Sequence, residues 1–317
     1  LRRPTLRLTL ECNNACLFCA QRGLRAQARS ASELRAELDR IRSQADEVTF
    51  VGGEPTLHPT LPDLVAAARD RGFRAIGVQT NGRLPGDAPV LRSLAEAGVT
   101  DLHFSIHGAE AAVHDYHVGV AGAFEAIVAA LGFARSLGLV SVATTVLTRS
   151  NYRVLDEVAA FLRGAGVVGW LISVPRTAGA MGAADDRIMP RLGLAADPAF
   201  RALTRARNAG MPSWIQGMPA CILAAANGKY RAWMLPEEPV RAYATVCESC
   251  PSHAQCPGVD SEYLHRYGGD ELSPREAVDP PAWPSLTGMF VGVGELAPAH
   301  RPAPPVITPL TALGVPG

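Results

Sequence analysis

The chain has 317 residues, 48% hydrophobic and 19% charged, which suits one large core with a small appendage and excludes a disordered, charge-rich chain. Lys+Arg and Asp+Glu total 30 each, so no net field draws the chain to nucleic acid or to an anionic membrane, and neither is expected as a partner. No signal segment opens the sequence and no apolar stretch approaches the length of a membrane-spanning helix, so the expected compartment is the cytoplasm.

From residue 5 onward, short β-branched or apolar runs alternate with amphipathic stretches, the pattern of a parallel sheet with crossover helices. Strands are expected at 5–10, 48–51, 75–79, 101–106, 141–147 and 169–174. Helices are expected near 32–43, 61–71, 88–97, 123–137 and 152–164, with Gly72, Gly98, Gly138 and Gly166 where helices must turn back to the next strand. Six such units predict an α/β fold of partial (βα)6 TIM-like barrel type over residues 1–180, with function in the loops after the strands. After Arg176 the periodicity weakens, and a small Cys-rich extension is expected over 181–270, then a Pro-rich tail over 271–317.

Seven cysteines, an odd number at short spacings, point to metal rather than disulfides in a reducing compartment. Cys12, Cys16 and Cys19 form a C-x3-C-x2-C triplet directly behind the first strand. Electron-transfer clusters take four cysteines, so three thiolates leave one iron of a four-iron cluster open to a ligand. A zinc knuckle or buried core thiols are the plainer alternatives. Behind the second strand, Gly52-Gly53-Glu54-Pro55 offers close approach to the backbone and an acceptor for a cation, although a tight turn alone would also explain it. Both motifs fall at strand C-termini and should face one cavity.

Cys12, Cys16 and Cys19, with Phe18 before the last cysteine and Gly52-Gly53-Glu54-Pro55 after the next strand, resemble the radical S-adenosylmethionine (radical SAM) superfamily over roughly residues 5–180. The resemblance implies that the open iron chelates the amine and carboxylate of S-adenosylmethionine. One electron then cleaves the sulfonium bond and yields a 5′-deoxyadenosyl radical that abstracts hydrogen from an unactivated carbon. It further implies that Gly52, Gly53 and Glu54 receive the methionyl amine, that Phe18 sits beside the adenine, and that an external donor such as flavodoxin or ferredoxin supplies the electron. Ser105 at the end of the fourth strand is expected at the carboxylate or ribose, Thr145 on the fifth strand at the nucleoside, and Asn81 and Pro55 at the same cofactor. Peptide-modifying members often carry an Arg after the fourth strand, where this chain has His114-Asp-Tyr-His117. For Ser105 and Thr145, capping a strand end is an equally good account.

The remaining thiols, Cys221 and the C-x2-C-x5-C run of Cys247, Cys250 and Cys256, suit zinc or a second four-iron cluster by count. Their spacing resembles the SPASM and Twitch extensions of the superfamily, with the number of thiols matching a single auxiliary cluster. If three of them suffice, Cys221 becomes free for a catalytic role, ligating substrate indirectly or donating a hydrogen atom. His103, Ser105 and His107 alternate along the fourth strand and share a face; His107 at its end is the expected catalytic or substrate contact, against the alternative of a histidine satisfied by a carbonyl. Gln79 and Arg176 sit at comparable strand ends.

The expected function is oxidative modification or cross-linking of a ribosomally made precursor peptide. With eleven residues ahead of Cys12, a peptide-recognition domain is expected as a separate protein. An epimerase or dehydrogenase acting on a sugar, aminocyclitol or other small metabolite is the alternative, and a non-catalytic iron–sulfur redox protein is the reading from another class.

Overall fold

The computed structural model describes residues 3–22, 24, 29–84, 86–176, 187–223, 241–256 and 258–275. The expected Pro-rich tail from residue 276 onward, and the stretch around Gly228, lie outside them.

Seven parallel strands form one sheet in sequence order: β1 (Thr5–Arg7), β2 (Glu47–Val51), β3 (Ala75–Thr80), β4 (Asp101–Ser105), β5 (Val140–Val146), β6 (Gly169–Ser173) and β7 (Ser213–Gln216). The helices between them are α1 (Ala31–Arg42), α2 (Leu61–Asp70), α3 (Ala88–Ala97), α4 (Ala111–Val118), α5 (Ala123–Ser136), α6 (Leu155–Gly164) and α7 (Leu192–Asn208). This is the expected α/β partial barrel, extended by one strand beyond the six read from sequence and past the expected boundary at 180.

Besides β7, two helices of the barrel escaped the sequence pattern for physical reasons. Helix α4 buries His114 and His117 together with Val118, so its inward face carries polar residue types and shows no apolar stripe. Helix α7 buries mainly alanines around Leu192, Phe200 and Leu203 and carries Pro198 in its interior, a residue that argues against a helix. Elsewhere local signals agree with the fold; Ser30 and Glu33 close a capping box that starts α1.

Register assigns the two faces of the sheet. Leu6, Phe50, Val78 and Leu102 lie side by side, as do Phe104, Ala143 and Trp170, and this buried row packs on the helix layer. The opposite face carries Thr49, Gln79, Asp101, His103, Ser105, Thr144, Ser173 and Gln216 and forms the polar interior of the barrel. Near the strand N-termini that interior is filled by an ionic group in which Arg3 bonds Asp101 at 2.9 Å and His103 also meets Asp101. Burial opposes the charge of Asp101, yet Arg3 and His103 hold its carboxyl well below the usual carboxylate range. His103 therefore belongs to the barrel floor.

The Cys-rich extension follows β7 as α8 (Ala220–Leu223), a two-stranded antiparallel pair β8 (Arg241–Ala242) and β9 (Val259–Asp260), and α9 (Ser261–Tyr267). It is fastened to the first turn of α7: the Leu192 N–H donates to the Tyr263 hydroxyl at 2.8 Å, and Gly193 N–H donates to Glu271 at 3.1 Å. Among the described residues no single helix is long and apolar enough to cross a membrane.

Candidate active site

The triplet loop leaves β1 and continues beside β2, with Leu8 N–H donating to Val51 O at 2.9 Å. Three neighbours then hold it. The glycine turn after β2 donates twice, from Gly53 N–H to Thr9 O at 2.9 Å and from Glu54 N–H to Glu11 O at 2.7 Å. The C-terminus of α4 accepts twice, from Ala15 N–H at Val118 O (2.9 Å) and from Leu17 N–H at His117 O (3.1 Å). The turn after β3 donates from the Asn81 amide to Asn13 Oδ1 at 2.7 Å and from the Arg83 guanidinium to Asn13 O.

Glycine is required at the first of these contacts for reasons of space. A Cβ on Gly53 would lie 2.2 Å from Glu11 O, and one on Gly52 would lie 2.7 Å from Thr9 O. Neither residue is among those with positive φ. The pair thus serves close packing of the loop, an explanation that sequence alone assigned to approach by a ligand. Gly119 ends α4 in the left-handed region (φ 69°), where a Cβ would stand 2.9 Å from Ala15 O.

Glu54 is fully buried, and its carboxylate is preassembled. Thr56 N–H (3.1 Å), Thr56 Oγ1 (2.6 Å) and Thr80 Oγ1 (2.8 Å) donate to Oε1, while Asn81 N–H donates to Oε2 at 2.6 Å. Burial raises its pKa above the ordinary carboxylate value and these donors pull it back. Among the described residues no salt bridge involves Glu54, and its carboxylate meets hydrogen-bond donors and no counter-cation. That is the electrostatic signature of a receptor for a positively charged group. Thr56 and Thr80 were not singled out from sequence; the Thr two residues after Glu54 was the available signal.

The three thiols are close enough for each ionised neighbour to oppose the next. Burial, together with Cys12 and Cys19, pushes the Cys16 thiol up to about 12, and burial also raises Cys12. Bare thiolates are therefore unfavourable here, and a cationic metal group is what would let them ionise. The donor set fits a cluster held by Cys12, Cys16 and Cys19.

Phe18 packs against a wall of histidines. Its ring meets His107 edge-on at 4.6 Å and His117 at 6.2 Å, and His107 stacks on His114 at 5.9 Å. His107 Nδ1 accepts the Val146 N–H at 3.2 Å, so the neutral ring carries its proton on Nε2; burial and the two neighbouring histidines depress its pKa strongly. At 2% exposure His107 lies behind Phe18, and the expected substrate contact is corrected to a buried supporting position. His117 bonds Thr148 Oγ1 at 2.7 Å, and Asn151 donates to His107 O and Val146 O.

The other cofactor expectations divide. Pro55 is buried in the turn after Glu54, and Ser105 ends β4 on the interior face in register with Thr144. Thr145 lies on the opposite, helix-facing side: its hydroxyl donates to Ile106 O at 2.7 Å and accepts from Trp170 Nε1 at 2.9 Å. Its expected contact with the nucleoside is thereby corrected; Thr144 is the β5 residue that faces the interior.

In the extension, Cys221, Cys247, Cys250 and Cys256 all line one small pocket, with Tyr243, His253 and Val259 completing the wall. Burial raises the Cys221 thiol, and Cys256 and Cys247 push in the same direction.

Residues 6–162 match the family model of the radical SAM superfamily. The chain belongs to this superfamily of enzymes, whose members use S-adenosylmethionine and a four-iron cluster. The AdoMet-dependent heme synthase of Nitratidesulfovibrio vulgaris is 30% identical over 194 residues, covering 56% of this chain and 51% of that protein. Among solved structures, Streptococcus suis SuiB bound to precursor peptide SuiA aligns with a TM-score of 0.60 at 14% identity, over 87% of this chain and 74% of that one. Native anSMEcpe with bound AdoMet and Kp18Cys peptide aligns with a TM-score of 0.54 at 17% identity, over 67% and 63%. This chain's match spans about half the length of the heme synthase.

Proposed function

We propose that this chain oxidatively modifies a precursor peptide by hydrogen abstraction from an unactivated carbon, with Cys12, Cys16 and Cys19 holding the S-adenosylmethionine-binding cluster and Cys221, Cys247, Cys250 and Cys256 a second one. The observation that carries the reading is Glu54: a fully buried carboxylate with four donors and no described counter-cation, beside a three-thiol loop. When bound, S-adenosylmethionine and the reduced cluster supply a 5′-deoxyadenosyl radical by one-electron cleavage of the sulfonium bond. Glu54 would take the methionyl ammonium, the Phe18 ring would flank the base, and Ser105 and Thr144 offer hydroxyls on the interior face. With Cys221 lining the same pocket as the other three thiols, no obvious spare thiol remains among the described residues to return a hydrogen atom. That favours oxidation over inversion; a second cluster held by these thiols would supply an acceptor for the electron left on the substrate.

The peptide assignment is supported by the kinship of fold with SuiB and anSMEcpe, each solved with a peptide. A small-molecule substrate is the second reading, favoured by the higher identity to the heme synthase. Anaerobic incubation with dithionite and S-adenosylmethionine is expected to release 5′-deoxyadenosine; none, with both clusters intact, sinks the enzymatic reading. Adding a precursor peptide encoded beside the gene should yield product two hydrogens lighter. Deuterium uptake from D2O at an inverted carbon would establish epimerisation instead.

A further inference from the structure

We infer that Asn81 is a positioning residue that ties the Glu54 carboxylate to the Cys12 thiolate and makes the cluster held by Cys12, Cys16 and Cys19 easier to reduce. This deepens the site described above and rests on that reading.

Every polar group that Asn81 presents along this path is engaged. Its main-chain N–H donates to Glu54 Oε2 at 2.6 Å. Its Oδ1 accepts the Arg83 N–H at 3.0 Å, an Asx turn that locks the rotamer. That lock turns the amide nitrogen toward the triplet loop, where it donates to Asn13 Oδ1 at 2.7 Å and lies 3.9 Å from Cys12 Sγ, within reach of a long N–H···S bond. A primary amide has two N–H groups, one for each partner. The residue is 8% exposed, so water is poorly placed to substitute for it.

The requirement is specific to asparagine. Aspartate keeps the acceptor for Arg83 but loses both donors; glutamine is too long for the Asx turn; serine has a single O–H donor for the two partners. Cys12 feels the negative charge of Glu54, and Asn81 stands on the path between them with donors aimed both ways. Hydrogen bonds to cluster sulfurs help set reduction potentials. The added electron makes the thiolate sulfur more negative, so an N–H directed at it stabilises the reduced form. In the one-electron reduction considered, an external donor gives the electron and no bond is made or broken.

The experiment is an anaerobic redox titration of the reconstituted chain, followed by the EPR signal that responds to added S-adenosylmethionine, for wild type, Asn81→Ala and Asn81→Asp. Both variants should retain the iron of wild type. At fixed potential the reduced-to-oxidised ratio should fall by about tenfold in Asn81→Ala, which is about 59 mV for a one-electron couple. It should fall further in Asn81→Asp, where an anionic oxygen replaces the donor. Either variant loading iron with an unchanged midpoint overturns the inference. Loss of iron from both also overturns it, by making Asn81 a folding residue of the loop. A wild-type chain whose signal ignores S-adenosylmethionine would instead refute the reading of the site.

Discussion

Replacing Gly53 by alanine places a methyl group 2.2 Å from Glu11 O and 2.6 Å from Leu10 O, both backbone atoms that no rotamer change can move. Ordinary contact begins near 3.4 Å, so the loop must retreat by the difference, 1.2 Å. The hydrogen bonds Gly53 N–H to Thr9 O and Glu54 N–H to Glu11 O, now 2.9 and 2.7 Å, do not survive such a displacement. Overpacking costs about 1–3 kcal/mol and each hydrogen bond about 0.5–1.5 kcal/mol, which sets the loss near 3 kcal/mol. At about 2 °C per kcal/mol for a chain of this size, the metal-free protein should melt about 6 °C lower by circular dichroism. Iron uptake should fall because Cys12 moves with Glu11. Gly52→Ala should be milder, since its Cβ starts at 2.7 Å. An alanine at Gly53 that leaves melting temperature and iron content at wild-type values while abolishing S-adenosylmethionine binding would refute this reasoning and return the glycine to the ligand.

Glu54→Gln keeps the shape of the carboxyl but removes its charge; S-adenosylmethionine affinity, measured by equilibrium dialysis, should fall about tenfold or more, from loss of a charged hydrogen bond worth roughly 1.5–3 kcal/mol, with iron content unchanged. Thr145→Val strands the Trp170 N–H in the core and should destabilise by about 1–3 kcal/mol in urea while S-adenosylmethionine affinity stays at wild type, because the hydroxyl faces the helix layer. Burial lowers the pKa of His114 from 6.5 to about 4, so the folded state binds its proton less readily than the unfolded chain. The sign follows: this contribution is intact above the unfolded value near 6.5, declines as pH falls toward 4, and is lost below it. The full loss of about 3 kcal/mol should vanish from the pH dependence of urea stability in His114→Phe.

The barrel was legible wherever one face of an element is apolar and the other wet. β-branched runs such as Val48–Val51 mark β2 to β6, and glycines such as Gly98, where the structure has φ 120°, mark the helix ends. What escaped was determined by partners distant in sequence. His117 is buried against Phe18, about a hundred residues earlier, and His114 against His107 and Phe124, and no local pattern announces either. Thr144 and Thr145 are indistinguishable by type, and register alone sends one to the interior and the other to Trp170. The triplet and Glu54 could be found because their chemistry is unusual in kind and spacing. The meaning of Gly53 could not, because its neighbours are carbonyls of Leu10 and Glu11 in the loop after β1.

The two thiol groups differ in what holds them when metal is removed. The triplet loop is fixed by backbone bonds to β2, to the end of α4 and to the turn after β3, with Leu6 and Leu8 buried in the main core just before it. The four-thiol pocket stands on two-residue strands, two single 3-10 turns and one seven-residue helix, and the described residues 241–275 bury only Val259, Tyr263 and Leu272 as core hydrophobes. So thin a core leaves metal binding to contribute folding energy directly. Chelation and anaerobic removal of iron should therefore leave the barrel folded while the extension loosens. Limited proteolysis read by mass spectrometry checks it: cleavage within 241–275 should appear first in the metal-free chain and be suppressed on reconstitution. Equal protection of the extension with and without iron would mean that its contacts through Tyr263 and Glu271 suffice, and that its thiols do not depend on metal for their arrangement.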